Sequence, residues 1–166
     1  MLCVYFSVAF STIYVRLLIV STLDLFRHDF VLSIKPEYAT KIVEGLKTVE
    51  LRRRFPYGTV TNAVLYVYAT VPVQAIIGFA TINDVIKLST SEIWAQYNDV
   101  AYINRGDFDE YYSGVDGGFV IRLKDAVKLS RPVALAELKA ALNFSPPQSF
   151  AYADEALKLL VRGRIS

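Results

Sequence analysis

SIKPEYATKIVEGLKTVELRRRFP, residues Ser33 to Pro56, changes its hydrophobic period midway, and that change decides the fold. Pro36 stands where a helix accepts proline, at its first position, because the missing N–H has no intrahelical partner there. Tyr38, Ala39, Ile42, Val43 and Leu46 recur at helical spacing and predict one apolar stripe. Gly45 is placed to end that helix. From Lys47 the period drops to two. Val49 and Leu51 share one face of a predicted strand, and Thr48, Glu50, Arg52 and Arg54 share the other. Phe55-Pro56-Tyr57-Gly58 supplies a turn.

Upstream, Phe30–Ile34 (FVLSI) is a run of β-formers that reads as a strand. Downstream, Ala63–Ala69 is a second apolar strand, broken by Pro72. Residues 73–88 predict a long or bent strand, with Gly78 marking a bulge. Ser89 and Glu92 have capping-box spacing and open a helix to about Tyr97. A short helix over 108–112, a strand after Gly117-Gly118, a further sheet segment at Ala126–Leu129, and a helix marked by Leu135, Leu138 and Leu142 follow. Pro146-Pro147 stops that helix, and a last helix is predicted over 148–160. No glycine fingerprint follows the first strand, so a doubly wound dinucleotide fold is excluded. The expectation is an α+β protein, a small mixed β-barrel flanked by short helices.

With 54% hydrophobic and 20% charged residues in 166, the chain can build one real core and is not disordered. Its net charge is only +2, so any nucleic-acid site must be a local cluster of cations. A single cysteine, Cys3, permits no internal disulfide and no cysteine-based metal centre, and suits a reducing, cytoplasmic setting. A single histidine, His28, leaves no Ser-His-Asp triad and no multi-histidine metal site. No metal and no cofactor is expected. The acidic cluster Asp107, Asp109, Glu110 and Asp116 fits no calcium loop and reads as solvated charge.

Residues 1–28 form an apolar extension, uncharged as far as Val15 and interrupted by Arg16. Four readings stay open: a start placed too far upstream, a signal segment, a membrane anchor, or a genuine packed element. Membrane contact is expected only if the anchor is real. The domain proper is expected over 29–166.

Lys35 precedes the helix entrance, where free N–H groups and an ammonium suit an anion such as phosphate. Glu50 and Arg52, two apart on a strand, project to one face, with Lys47 at the strand's start and Arg53 and Arg54 beside it. One carboxylate among several cations suits an anionic, polar ligand, since a guanidinium binds phosphate bidentately. The same pattern also suits a solvated face of paired charges. Gln148 and Ser149 follow the double proline, where a helix start would direct N–H groups and a hydroxyl toward the cleft, or serve as plain capping. Among many aromatic residues, Trp94 is the candidate base-stacking platform.

Gly45-x-Lys47-x-x-Glu50-x-Arg52 resembles the G-x-K-x-x-E-x-R signature of ASCH domains, a branch of the PUA-like superfamily. The preceding strand and helix, the segment VYATVPVQAIIGFATI at Val67–Ile82 and PPQSFAY at Pro146–Tyr152 are similar to small bacterial and archaeal members, over about Phe30–Tyr152. The resemblance implies a compact barrel whose cleft, between barrel and first helix, is lined by Lys47, Glu50 and Arg52. It further implies binding of RNA or a nucleotide, in regulation of transcription or in RNA metabolism. Some members hydrolyse modified nucleosides or cleave RNA, and Lys47 and Glu50 would then be the catalytic pair. In the nucleoside-hydrolysing members a threonine nucleophile stands where this chain has Glu50, which counts against that chemistry. Three expectations therefore stand: an RNA- or nucleotide-binding module using Lys35, Lys47, Glu50, Arg52, Arg53, Arg54, Gln148 and Ser149; a hydrolase acting through Lys47 and Glu50; or a protein-interaction unit tethered to a membrane through residues 1–25. Oligomeric state is not legible.

Overall fold

The computed structural model describes residues 28–165 except Thr59. Its elements in chain order are β1 (Phe30–Ile34), α1 (Pro36–Val43), β2 (Val49–Arg52), β3 (Val64–Ala69), β4 (Ala75–Ser89), α2 (Thr90–Ala101), α3 (Arg105–Tyr111), β5 (Gly117–Ala134), α4 (Leu135–Leu142), β6 (Phe150–Tyr152) and α5 (Glu155–Arg162). The apolar segment of residues 1–27, with its open readings, lies outside the described residues. Among the described residues no helix is long and apolar enough to cross a membrane.

One six-stranded sheet has the order β2-β5-β4-β3-β1-β6. β1 and β3 pair in parallel and every other ladder is antiparallel, so the sheet is mixed, as expected. The β4–β5 hairpin is its spine. Register shifts between Ile76 and Gly78, Phe79 and Thr81, and Ile82 and Asp84 bend that hairpin, because an extra unpaired residue increases local twist. The sheet thereby curls into a half-barrel. Gly78 is one of the bend points, and a Cβ there would collide with the Val127 carbonyl and the Val43 side chain. Only glycine lets α1 and β5 approach β4 so closely.

Alternation along the strands sorts side chains to two faces. Phe30, Leu32 and Ile34 join Leu65, Val67, Ile82 and Ile121 in an inner core that α1 covers with Ala39, Ile42 and Val43. Val31, Tyr66 and Tyr68 face outward and are covered by Leu138 of α4 and by Leu157 and Val161 of α5. A third cluster packs Val49, Leu51 and Val120 against Ile93 of α2 and Phe108 of α3. Fully burying an aliphatic side chain is worth about 1.5–3 kcal/mol, so these three clusters hold the helices to the sheet. α5 is also pinned by charge: Lys158 Nζ lies 3.1 Å from Asp29 Oδ2, while Asp29 Oδ1 accepts from the Val64 N–H at 2.8 Å.

Most predicted elements are present, and the capping box forms as read. Ser89 N–H donates to Glu92 Oε2 at 2.9 Å, and Glu92 N–H to Ser89 Oγ at 3.3 Å. Three expectations are corrected. Leu46 is not part of the α1 stripe: Gly45, at φ +74°, reverses the chain after Glu44 and leaves Leu46 half exposed. The segment after β5's first residues is not two strands but one of 18 residues. The last helix does not begin at Gln148. Phe150–Tyr152 instead adds to the free edge of β1, with Leu32 paired to Phe150, and the helix starts at Glu155 under an Asp154 cap. An open edge of unpaired backbone groups outweighs the weak local preference for a helix there.

Candidate functional site

The two ends of the sheet order meet across a gap. β2 pairs only with β5, yet Phe55, just past β2, packs on Phe30 of β1 and Phe150 of β6 with ring centroids 5.0 and 5.4 Å away. Arg52 closes the same seam, donating from Nη2 to the Ser33 carbonyl of β1 at 2.9 Å. Beside that bond is a pocket of about 160 Å³. β1 and the entrance of α1 supply Ser33, Lys35 and Tyr38; β2 and its approach supply Lys47, Glu50 and Arg52; the α2–α3 segment supplies Ala101, Ile103, Asp107 and Tyr111.

The floor is charged and buried. Lys47, Glu50 and Arg52 retain 4%, 7% and 9% exposure, values at which an unpaired ion is not sustainable. Glu50 holds the group together. Its Oε1 lies 3.0 Å from Arg52 Nη2 and its Oε2 3.6 Å from Lys47 Nζ. Lys47 Nζ also donates to the Ala101 carbonyl, which fixes the ammonium against α2. Its charge sits 5.5 Å from the centre of the Tyr38 ring. The Nε–H of Arg52 has no acceptor among the described residues. Two cations against one carboxylate leave the floor with one net positive charge.

Burial pushes the Lys47 ammonium below the ordinary lysine range; Glu50 resists the shift and Arg52 reinforces it. The Tyr111 hydroxyl is pushed up, chiefly by burial, so it stays a proton donor. It lies 3.4 Å from the Leu51 carbonyl and accepts from the Arg53 N–H at 3.3 Å, fastening α3 to β2. Tyr38 is raised by burial and then by Glu37, Asp107 and Glu50.

The sequence-predicted residues divide. Lys47, Glu50 and Arg52 come together on the floor. Lys35 is exposed on the rim, and its carbonyl accepts from the Tyr38 and Ala39 N–H groups, so those two donors of α1's first turn are already used. Arg53 and Arg54 are exposed and line a neighbouring groove instead of the pocket. Gln148 and Ser149 open no helix and do not line the pocket. They follow Pro147, whose carbonyl accepts from Ser33 Oγ at 2.7 Å, while the Ser149 carbonyl accepts from the Ser33 N–H at 3.3 Å. This segment supports the pocket wall from behind. Trp94 packs on Phe108 at 5.1 Å and lies outside the pocket. Of the acidic cluster, Asp107 reaches the pocket rim, whereas Asp109 pairs with Arg105 at 2.8 Å. Among the described residues no three His, Cys, Asp or Glu side chains group as metal ligands would. Sequence reasoning does not assign the α2–α3 wall to the site: it reads Asp107 as solvated charge, and Ala101 and Ile103 carry no signal. Tyr38, placed in an apolar stripe, was the one visible signal that the stripe ended in a polar site.

The curled mixed sheet with its short helices is the ASCH fold: the chain belongs to the ASCH domain family, whose sequence model matches residues 32–127. The protein is 35% identical over 127 residues to an ASCH domain-containing ribonuclease of Zymomonas mobilis subsp. mobilis, covering 76% of this chain and 84% of the relative. The crystal structure of ASCH from Zymomonas mobilis superposes with a TM-score of 0.78 at 32% identity, over 83% of this chain and 96% of that one. The N-terminal domain of Staphylothermus marinus McrB shares the fold at 13% identity and a TM-score of 0.58, over 81% and 93% of the two chains.

Proposed function

We propose that this protein binds RNA in the pocket above Lys47, Glu50 and Arg52 and cleaves its phosphodiester backbone there. The observation that carries the reading is the carboxylate of Glu50 held between two buried cations, at 3.0 and 3.6 Å, in an accessible pocket of net positive charge. A ribonuclease 35% identical over most of its length makes RNA the ligand to test first.

The groups of the pocket support a transesterification. A ribose 2′-hydroxyl attacks the adjacent phosphorus, forming a 2′-O–P bond as the P–O5′ bond breaks. Glu50, with lone pairs beyond those used by its ion pairs, takes the 2′-hydroxyl proton. Arg52 and Lys47 neutralise charge developing on the phosphoryl oxygens. Lys47, made a stronger acid by burial, delivers a proton to the departing 5′-oxygen. Exchange with solvent in the open pocket then removes the proton from Glu50 and restores the one lost by Lys47. Tyr38 and Lys35 stand at the rim as contacts to base and phosphate.

Incubation of the protein with labelled RNA and with the same sequence in DNA tests the reading. RNA is cleaved to a 2′,3′-cyclic phosphate and a 5′-hydroxyl end, DNA is not, and Glu50→Gln abolishes the reaction with the fold retained. Equal cleavage of DNA would exclude the 2′-hydroxyl route.

A second reading is binding without turnover, the form a regulator of transcription would need. It is favoured by the commitment of Lys47 Nζ to the Ala101 carbonyl, which makes the floor a static anion cradle. Salt-dependent RNA binding lost in Arg52→Ala, with no product formed, is its signature.

A further inference from the structure

The line of residues that ends in the pocket continues across the sheet. Arg52 on β2 is paired with Phe119 on β5, and Phe119 with Lys87 on β4. Directly opposed residues in antiparallel ladders project to the same face, so these three side chains form one row. The row spans two strand spacings, about 10 Å. It runs from buried Arg52 through half-buried Phe119 to exposed Lys87. Arg53 and Arg54 leave the end of β2 beside it and, with Lys87 and Phe119, wall an open groove.

Two features of this groove suit a nucleic-acid strand. Among the described residues, Arg53, Arg54 and Lys87 make no ion pair, unlike the cations of the pocket floor. Opposite them stand Glu92, whose Oε2 accepts from the Ser89 N–H, and Asp116, so positive charge is in excess. An aromatic platform adjoins the cations. Tyr57 is 73% exposed, its ring 6.3 Å from that of Phe119, and Lys87 Nζ stands 6.0 Å over the Phe119 ring. An exposed aromatic ring beside free cations stacks an unpaired base and neutralises its phosphates, an arrangement a duplex with its bases occupied does not use. The pocket, at about 160 Å³, is also smaller than the roughly 300 Å³ at which sites for whole small molecules begin. A chain seated in it must extend beyond it.

We propose that this groove is a second RNA subsite: a single-stranded RNA with one phosphodiester in the pocket continues over Arg53, Arg54 and Lys87, with a flanking base on Tyr57. The proposal rests on the reading of the pocket as an RNA site. Substrates are therefore single strands several nucleotides long, and affinity grows with length.

The test compares a fluorescent ten-nucleotide oligouridylate, the same strand annealed to its complement, and a uridine dinucleotide as competitor, on the full chain. The wild type prefers the single-stranded ten-mer to the dinucleotide by at least tenfold. In R53Q/R54Q/K87Q that preference falls to about twofold or less. The slope of log affinity against log salt also falls by about 2, since each phosphate neutralised on a single strand contributes about 0.7. Tyr57→Ala reduces ten-mer affinity about fivefold or more. All four positions are exposed, and a melting curve by circular dichroism confirms that the fold is kept. An unchanged length preference in the triple variant overturns the subsite, as does duplex bound as tightly as single strand, or polyglutamate displacing the ten-mer equally well. A wild type that binds both lengths equally sinks the subsite alone. A wild type that binds neither sinks the pocket reading with it.

Discussion

Arg52 Nη2 donates to the Ser33 carbonyl at 2.9 Å, across a seam where the strands that carry the two residues share no ladder. The same nitrogen lies 3.0 Å from Glu50 Oε1. One guanidinium thus both fastens the curled sheet and orients the carboxylate of the site, so structure and site are coupled at this residue.

Arg52→Ala therefore weakens both. Removing one partner of a buried pair leaves the other charge underbalanced, at about 3–5 kcal/mol. Urea unfolding measures the loss, and Arg52→Lys recovers only part of it because an ammonium cannot reproduce the planar fork. A loss under about 1 kcal/mol would mean the seam is held by Phe55, Phe30 and Phe150 without it.

Lys47 gives a pH dependence of defined sign. Its folded pKa lies below the unfolded value of about 10.4, so between the two the unfolded chain binds more protons. In that window this group makes stability rise with pH. Lys47→Met removes the rise, which urea unfolding at several alkaline pH values detects. If Lys47 is the general acid, wild-type RNA cleavage also declines at a pH below the ordinary lysine value.

Glu50→Gln moves Lys47 further in the same direction. The Glu50 carboxylate, 3.6 Å away, is what holds the Lys47 pKa up, and the amide supplies no charge. Titration of the Lys47 side chain by NMR in wild type and variant should show the lower value in Glu50→Gln. An unchanged value would place the two groups farther apart than 3.6 Å in solution.

Gly118→Ala tests the packing beneath the site. A Cβ there would lie 2.8 Å from the Arg52 carbonyl and 2.5 Å from Tyr112 Cε1, so β2 must move away from β5. Overpacking of this kind costs about 1–3 kcal/mol, and RNA affinity should fall with stability because Arg52 moves too. Wild-type unfolding and wild-type affinity in this variant would count against the close β2–β5 approach.

The local pattern from Ser33 to Pro56 was enough to place a strand, a proline-opened helix and a second strand, and to put Glu50 and Arg52 on one face with Lys47 beside them. Those are consequences of period and of short-range sterics, which neighbouring residues alone determine. That same alternation reads as a strand with one wet face, whereas all four residues of β2 are buried. Only the curl of the sheet and the packing of α2 and α3, about fifty residues further along the chain, remove that face from water. The capture of Lys47 by the Ala101 carbonyl, the entry of Tyr111 and Asp107 into the pocket wall, and the ejection of Arg53 and Arg54 to a separate groove have the same origin. The strand at Phe150–Tyr152 was hidden for a related reason: three residues carry no readable period, and it forms because β1 presents an edge to be paired. Sequence determined which charges would stand side by side. Tertiary structure decided which of them lost their water, and so which must pair with one another and which stay free for a ligand.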